Sequence, residues 1–483
     1  MEELRLEDHS EDEGDEENIE RVGALGHVKV TKLILHYAIP AIISMVVNAV
    51  YNMVDQVLIG WSDIGMLGIG ATTVTFPITT IMTALSLMLS VGCASNFNLS
   101  LGRKDKEKAG RVAGNAITLG VIIGLVLFSV ALIFLKPMLV LFGTTDAIMP
   151  HAIEYTRIIV YGIPFGILSA IFSQLIRADG NPRYSMVCML TGAIFNLIFD
   201  PIMLFVFNFG IQGIAFATSF GMFISAAMGA LYFVKSFQSV RFVKEYFVPR
   251  FEFIKAIFSL GVASFFNQIA MTIVQIIMNN TLKTYGELSM YGGDVLIACV
   301  GSINKLSMFF FSFIIGLSQG CQPIIGFNYG ARNYDRVRET VKKALSYAVV
   351  ISSVMFLVYQ LLPRQLLMFY GNNPESFFEF GSRYLRIFMF FTFLNCVQPI
   401  TVGFLTSIGK GRRGLFISMT RQILFLIPLL LILPRSLGIE GILYAGPVSD
   451  FMAVIVAAAL LVSEVKNMSR LQHEKTLEKT AVT

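Results

Sequence analysis

Two aspartates stand alone in long apolar stretches of this sequence. Asp55 is the only charged residue between positions 33 and 60, and Asp200 is the only one between positions 184 and 210. A charged side chain at the centre of a bilayer costs on the order of 2.5–3.5 kcal/mol on insertion scales, so aspartates in membrane spans usually face a partner, water or an ion. The two residues therefore indicate a site for protons or hard cations inside a membrane.

Polar residues that suit such a site recur near both aspartates. Tyr51 lies one turn before Asp55, and Asn196 lies one turn before Asp200, so each pair shares one face of a helix. Thr218 lies at a similar depth in the next apolar stretch, roughly 10 Å from its outer end at 1.5 Å per residue. Carboxyl groups that meet here can share a proton, or the carboxylate, amide and hydroxyl oxygens can ligate Na⁺.

The second half of the chain carries different polar residues in its apolar stretches. Lys305 lies about 15 Å into the eighth stretch, and Asp294 precedes it by about three turns on the same face. Gln275 in the seventh stretch and Gln398 in the tenth add amide groups. These four residues are candidates for substrate contact. Lys305 can repel cationic substrates or bind an anionic one, and the sequence leaves both interpretations open.

One pair of opposite charges, Arg421 and Asp450, lies in the eleventh and twelfth apolar stretches. Either charge alone would be costly there, whereas two opposite charges in contact reduce each other's cost. We interpret them as a buried structural ion pair.

Motifs of enzymes and metal proteins are absent from the sequence. The five cysteines form no CxxC pair and the five histidines are scattered, so neither a zinc site nor a Ser/His/Asp triad can be argued. No phosphate-binding loop is present, which disfavours direct coupling to ATP. We expect a protein that is not an enzyme, with no certain metal site and no cofactor besides a coupling ion, H⁺ or Na⁺.

The overall composition places these residues in a bilayer. Of 483 residues, 55% are apolar and 14% are charged, and the mean hydropathy is +0.69, far too apolar for an ordinary soluble domain. Runs of about 20 apolar residues suffice to span a membrane, and they must be helices because lipid cannot hydrogen-bond an open backbone. Twelve spans are predicted, at 33–60, 66–101, 112–135, 158–176, 184–210, 211–234, 256–282, 295–331, 344–363, 387–409, 414–434 and 441–463.

The distribution of basic residues predicts the orientation of these spans. Segments on the side of both termini hold roughly four Lys or Arg residues for every one on the opposite side. Loops rich in Lys and Arg stay in the cytoplasm. We therefore expect a multi-pass plasma-membrane protein with both termini cytoplasmic.

An internal repeat divides the chain into halves. A shift of 228 residues places Gly102 on Gly330 and the segment 210–214 on the segment 438–442. Six spans in each half, both starting on the same side, predict a parallel repeat with the substrate path between the halves. The fold class is thus an all-α polytopic membrane protein with two pseudo-symmetric six-helix lobes.

The spans and the repeat also define the predicted domains. Residues 1–28 are expected to be a disordered acidic tail, since residues 1–20 hold eleven Asp or Glu against one Arg. The other predicted units are an N-lobe at 29–234, a cytoplasmic linker at 235–255, a C-lobe at 256–463 and a cytoplasmic C-terminal tail at 464–483.

Several segments together resemble one family of transporters. They are 40–55, 177–182, 196–201, 291–294 and 316–331. Through them, residues 30 to 465 resemble the multidrug and toxic compound extrusion (MATE) transporters, in particular their MepA-type bacterial branch.

The resemblance implies a V-shaped pair of lobes that alternately exposes a central cavity and exports drugs against an inward H⁺ or Na⁺ gradient. The family's N-lobe cation site matches Asp55, Asn196 and Asp200, where Na⁺ would bind, with Tyr51 and Thr218 at positions used nearby. Acidic residues that some relatives carry in the second lobe are missing here, which argues against a second cation site. The implied partners are small-molecule drugs or toxic organic cations and membrane lipids, with no nucleic acid, and the protein is expected to be a monomer.

Three other protein classes fit parts of the sequence. A flippase for lipid-linked saccharides has a related architecture, but a cavity lined with Arg and Lys would favour it, and only Lys305 and Arg421 are candidates. A major-facilitator transporter also has six plus six helices, and residues 102–105 faintly resemble its signature, although residues 196–201 argue against it. A receptor or scaffold is disfavoured by the repeat and the buried aspartates. Secondary active multidrug efflux by alternating access is the preferred interpretation.

Overall fold

Helices are the regular secondary structure of the part of the chain that the structure describes. A computed structural model describes residues 24–61, 65–142, 144, 146, 148–241, 243–369 and 375–482. Within these ranges the description excludes the side chains of residues 53, 56, 57, 60, 61, 65–67, 293, 294, 298 and 474–482. The predicted all-α fold class is confirmed.

Twelve membrane spans follow one another along the described chain. The first six are α1 (Val30–Trp61), α2 (Gly65–Gly102), α3 (Lys106–Ile133), α4 (Met149–Ala178), α5 (Pro182–Pro201) and α6 (Gly210–Lys235). The next four are α7 (Phe251–Glu287), α8 (Gly293–Gly330), α9 (Tyr334–Leu361) and α10 (Glu375–Ile387, Thr392–Asn395 and Val397–Ser407). The last two are α11 (Gly411–Met419, a π-helical segment Thr420–Leu426 and Ile427–Leu437) and α12 (Ile439–Val482). Eleven are long and apolar enough to cross a bilayer singly, and the bent α10 is the twelfth, which confirms the predicted number.

Span α10 departs from the prediction of one helix at 387–409. It consists of Glu375–Ile387 and a continuation that begins at Thr392, with a bend of 53° between them. Hydropathy does not detect the first part because that part carries charged residues. One of them, Arg383, pairs with Glu440 of α12 at 2.6 Å.

The internal repeat is visible in the backbone geometry. Two pairs of residues with positive φ recur at the repeat offset of 228 residues, Lys104 (61°) with Arg332 (57°) and Gly210 (55°) with Gly438 (57°), and a third pair, Gly180 (95°) with Gly409 (82°), recurs at 229. Helices α2 and α8 begin and end 228 residues apart, and so do α3 and α9. Helices α1–α6 and α7–α12 therefore form two pseudo-symmetric lobes, the N-lobe and the C-lobe.

Ordered structure extends into the segment predicted to be an acidic tail. Leu25 is buried, and its backbone carbonyl accepts hydrogen bonds from Asn328 Nδ2 at 2.9 Å and from Arg336 Nη2 at 3.1 Å. Residues 24–28 therefore pack on the C-lobe, because they are the apolar end of a charged segment. Residues 1–23, which hold the acidic run, lie outside the described chain.

The segment predicted to be a C-terminal tail continues α12 as a helix. Glu464 is buried and forms ion pairs with Lys410 and Arg413 at the start of α11. Leu25 and Met468 belong to the same hydrophobic cluster. Both ends of the described chain therefore lie at one end of the bundle, which we call the terminal end.

The two lobes meet at the terminal end through contacts that only glycine permits. A Cβ atom added to Gly261 of α7 would lie 1.8 Å from the backbone oxygen of Met88 in α2. A Cβ atom added to Gly320 of α8 would lie 2.5 Å from the Cα of Ala38 in α1. The helix backbones therefore touch across the interface between the lobes.

Hydrogen bonds reinforce this contact between the lobes. The buried Arg177, in the last turn of α4, donates from Nη1 to Gln319 Oε1 of α8 at 3.0 Å. Asn96 Nδ2 of α2 donates to the Ala256 carbonyl of α7 at 3.0 Å. The lobes are therefore joined by packing and by polar contacts at the terminal end.

We expect Gly261→Ala to lower the free energy of unfolding by about 1–3 kcal/mol, because the added methyl group meets a backbone carbonyl that cannot rotate away. Gly301→Ala in α8 is the matched control, since a Cβ atom there meets nothing within 4 Å. Thermal unfolding of the purified variants in detergent measures the difference. Equal unfolding midpoints for the two variants would contradict the backbone contact between α2 and α7.

Candidate functional site

The N-lobe brings four predicted cation-site residues together where α1, α5 and α6 meet. Asp200 and Asn196 are buried, with 0% and 2% of their surfaces exposed, and Asp55 is half-buried. The carboxyl groups of Asp55 and Asp200 lie within hydrogen-bonding reach of each other. The Asn196 amide donates to Asp200 Oδ1 at 3.2 Å and to Thr218 Oγ1 at 3.0 Å. We call this group of residues the carboxylate pocket.

A local change of helix type accompanies Asp200. The next residue, Pro201, has no backbone N–H, and its ring crowds the carbonyl four residues earlier. The chain continues as a π-helical turn, Ile202–Val206, a widened form of helix that is frequent at functional sites. Asp200 therefore lies at the last regular turn of α5, beside backbone whose helical spacing is altered.

Tyr51 connects the carboxylate pocket to a row of amides on α1. Its side chain lies beside those of Asn48 and Asn52, and Asn52 Nδ2 donates to the Asn48 backbone oxygen at 2.6 Å. Asn52 is exposed. Polar side chains thus extend from the exposed Asn52 to Tyr51, which lies close enough to Asp55 to interact with it electrostatically.

One further residue of the pocket, Tyr155 of α4, has no signal in the sequence. It is partly buried and lies close enough to Asp55, Asp200 and Tyr51 to interact with them electrostatically. A tyrosine in an apolar stretch is usually a core residue, and no helical spacing relates position 155 to either aspartate. Only the packing of α4 against the rest of the lobe reveals its place.

Three oxygen atoms of the pocket accept no hydrogen bond from the described residues. They are Asp55 Oδ1, Asn196 Oδ1 and Asp200 Oδ2. Buried acceptors normally have a donor. Carboxylate and amide oxygens arranged in this way suit a proton or a hard monovalent cation, because such ions prefer oxygen ligands.

The C-lobe contains the predicted pair of opposite charges. Arg421 Nε lies 2.5 Å from Asp450 Oδ1, and Asn395 Nδ2 donates to the other carboxylate oxygen at 2.8 Å. Asp450 is buried, and 20% of the Arg421 side chain is exposed. Both oxygens of Asp450 therefore have donors, unlike those of the carboxylate pocket.

Lys305 of α8 has an exposed side chain beside a chain of amides. The neighbouring Asn304 donates from Nδ2 to Gln275 Oε1 of α7 at 2.9 Å, and Gln275 Nε2 donates to Asn279 Oδ1 at 2.9 Å. The predicted polar residues Lys305 and Gln275 thus lie in one region of the C-lobe.

The two other predicted residues of the C-lobe have different outcomes. Gln398 donates from Nε2 to the Ile417 carbonyl at 2.8 Å, so its amide ties α10 to α11 inside the lobe. The side chain of Asp294 lies outside the described residues.

Asp450→Asn should lower the free energy of unfolding by about 3–5 kcal/mol, because it leaves the Arg421 guanidinium mostly buried without a counter-charge. The double variant Arg421→Met with Asp450→Leu removes both charges and should recover most of that loss. Thermal unfolding in detergent compares the three proteins. A double variant that unfolds as early as Asp450→Asn would show that the ion pair is not the source of the effect.

Comparison of the sequence with known proteins identifies a family and several relatives. The sequence profile of the MatE family matches residues 40–202 and 263–432. "Multidrug export protein MepA" of Staphylococcus aureus (strain bovine RF122 / ET3-1) is 26% identical over 433 residues, which cover 89% of this chain and 93% of the relative. The protein of the same name from Staphylococcus haemolyticus (strain JCSC1435) is 25% identical over 434 residues, covering 90% and 94%.

Solved structures share the fold. A multidrug resistance MATE family transporter of the MOP superfamily in an outward-facing conformation superposes with a TM-score of 0.86 and 24% identity, covering 92% of this chain and 98% of that one. A MOP superfamily transporter from Pyrococcus furiosus, described as having a binding pocket of reverse polarity, gives the same values.

The matched segments of the family profile cover more than half of the chain and include both lobes. They decide against the major-facilitator alternative. They also agree with the expectation that the protein is not an enzyme, and the many apolar spans with these relatives indicate a multi-pass protein of the plasma membrane. The chain therefore belongs to the MatE family of membrane transporters.

Proposed function

We propose that this protein is a secondary active multidrug exporter that exchanges lipophilic, often cationic compounds for H⁺ or Na⁺ by alternating access. The observation that carries the proposal is the meeting of Asp55, Asn196 and Asp200 in one pocket of the N-lobe. The names of the staphylococcal relatives, which are called multidrug export proteins, support it. The coupling ion is the only small ion that the mechanism requires, with no resident cofactor.

The carboxylate pocket supplies the coupling in this proposal. Two ionised carboxyl groups at hydrogen-bonding distance repel each other, and the repulsion is strong because they are largely removed from water. One proton or one Na⁺ relieves it. If the pocket is more compact in one conformation of the transporter, the ion favours that conformation by its difference in affinity. Substrate release on one side is then linked to ion entry from the same side.

We assign the terminal end of the bundle to the cytoplasm, because the segments at that end are rich in Lys and Arg. The contacts around Gly261 and Gly320 then close the path on the cytoplasmic side. This arrangement agrees with the outward-facing conformation of the structurally similar MATE transporter. The partners in this proposal are drugs or organic cations and membrane lipids, and the transporter acts as a monomer without nucleic acid.

Asp55→Asn and Asp200→Asn are each expected to abolish ion-driven efflux, because either change removes one of the two groups that exchange the ion. Ethidium efflux from proteoliposomes, with pH and Na⁺ gradients imposed separately, measures this loss and identifies the ion. Asp335→Asn is the matched control, since Asp335 is a surface carboxylate of α9 with 56% of its side chain exposed. Wild-type efflux by either pocket variant would refute the coupling role.

Cysteine labelling at the two ends of α7 tests the orientation. Glu252 and Leu288 are exposed, and the five native cysteines are buried. In intact cells we expect a membrane-impermeant maleimide to label Leu288→Cys, and to label Glu252→Cys only after permeabilisation. The reverse pattern would place the terminal end outside the cell.

A further inference from the structure

Lys305 lies on the face of α8 that is turned toward the N-lobe. Gly316 and Gly330 follow it by about three and seven helical turns, so all three residues point in nearly the same direction. A Cβ atom at Gly316 would lie 2.5 Å from the Cα of Ile42 in α1, and one at Gly330 would lie 2.4 Å from the backbone oxygen of Leu99 in α2. The face of α8 that contacts the N-lobe at the terminal end is therefore the same face that carries Lys305 further along the helix.

At the level of Lys305 the exposure of the described side chains on this face differs from that at the terminal end. Gly316 and Gly320 are buried against α1, whereas Lys305 is exposed. Asn52 is exposed on α1, and it lies on the same face of that helix as Ala38, about four turns away. The side chains of Lys305 and Asn52 thus line a cleft between the lobes that is closed at the terminal end.

Lys305 and the carboxylate pocket of the N-lobe lie at nearly the same depth along the bundle. Helices α1 and α8 are antiparallel, with Ala38 opposite Gly320 and Ile42 opposite Gly316. This register places Lys305 opposite position 53, about 3 Å along the helix axis from Asp55. One wall of the cleft therefore carries the cationic Lys305, and the other carries the exposed amide of Asn52 on the helix that holds Asp55.

The amides beside Lys305 give its wall a defined polar structure. Asn304 binds Gln275, which binds Asn279, with both distances 2.9 Å. The first bond joins α8 to α7 beside Lys305, and the second lies within α7. Lys305 therefore lies on a surface that hydrogen bonds between neighbouring amides stabilise.

We propose that Lys305 binds the anionic group of zwitterionic substrates whose cationic group lies toward Asn52 and Asp55. This inference rests on the proposed exchange of drug for cation and names the substrate class. A purely anionic compound would bind more tightly once an ion neutralised the aspartates, so ion entry would oppose its release. A purely cationic compound is repelled by Lys305. A zwitterion can place its anionic group at Lys305 and its cationic group toward Asn52 and Asp55. Its cationic group still competes with the coupling ion.

Two dyes with the same fluorophore test the proposal. Rhodamine 19 carries a xanthene cation and a free carboxylate, and rhodamine 6G is its ethyl ester and only cationic. Fluorescence anisotropy with the purified transporter in lipid nanodiscs gives Kd for both. In Lys305→Gln we expect Kd to rise about tenfold for rhodamine 19, because a charge-assisted hydrogen bond is lost. We expect Kd for rhodamine 6G to fall, because the repelling charge is gone.

Two variants control for the loss of a lysine. Lys305→Arg keeps the charge and should retain the preference for rhodamine 19. Lys342→Gln removes an exposed lysine of α9 at the terminal end and should shift neither dye. Thermal unfolding of Lys305→Gln verifies that the variant is folded before its binding is compared.

The dye-binding measurement tests the role of Lys305, and the ethidium-efflux measurement tests the proposed function, so the two can fail separately. Equal shifts for both dyes in folded Lys305→Gln, or no shift for either, would overturn the role of Lys305, even if an ion gradient still drives ethidium efflux. Opposite shifts for the two dyes support that role, including when no imposed gradient drives transport. In that last case the coupling proposal fails and the charge preference of the cleft stands.

Discussion

The cost of removing a carboxylate from water governs the arrangement of this protein. Asp200 has no exposed surface, and its partners within the described chain are Asn196 and the carboxyl group of Asp55, neither of which neutralises its charge. Removing an unpaired charge from water costs several kcal/mol. The N-lobe thus contains a pocket whose negative charge the described residues do not neutralise, and helices α1, α5 and α6 position that pocket.

The two lobes share a fold but use buried charge differently. In the C-lobe, Asp450 has an arginine on one oxygen and an asparagine on the other. Its charge is satisfied by the protein, so the pair holds α11 against α12 and has no need of an ion. In the N-lobe, Asp55 Oδ1 and Asp200 Oδ2 have no donor among the described residues. The pseudo-symmetry of the backbone therefore does not extend to electrostatics.

Close packing at one end of the bundle gives the interface between lobes its shape. Glycines allow α1 to touch α8 and α2 to touch α7, and the contact between Arg177 and Gln319 adds a polar tie. Contacts of this kind have little tolerance for intermediate positions, because a dense interface is either packed or separated. The alternating access that we propose requires two discrete arrangements of the lobes, and an interface of this kind is compatible with that requirement.

Hydropathy and spacing determined the span count, the repeat and the candidates around Asp55 and Asp200, because the bilayer forces apolar helices and makes isolated charges conspicuous. Hydropathy did not detect the first part of α10, because that part carries charged residues and is not a continuous apolar run. Tertiary structure decided which polar residues meet. It placed Tyr155 near both aspartates, added Asn395 to the predicted pair of Arg421 and Asp450, and turned Lys305 toward the N-lobe, since contacts between distant helices depend on how their faces pack.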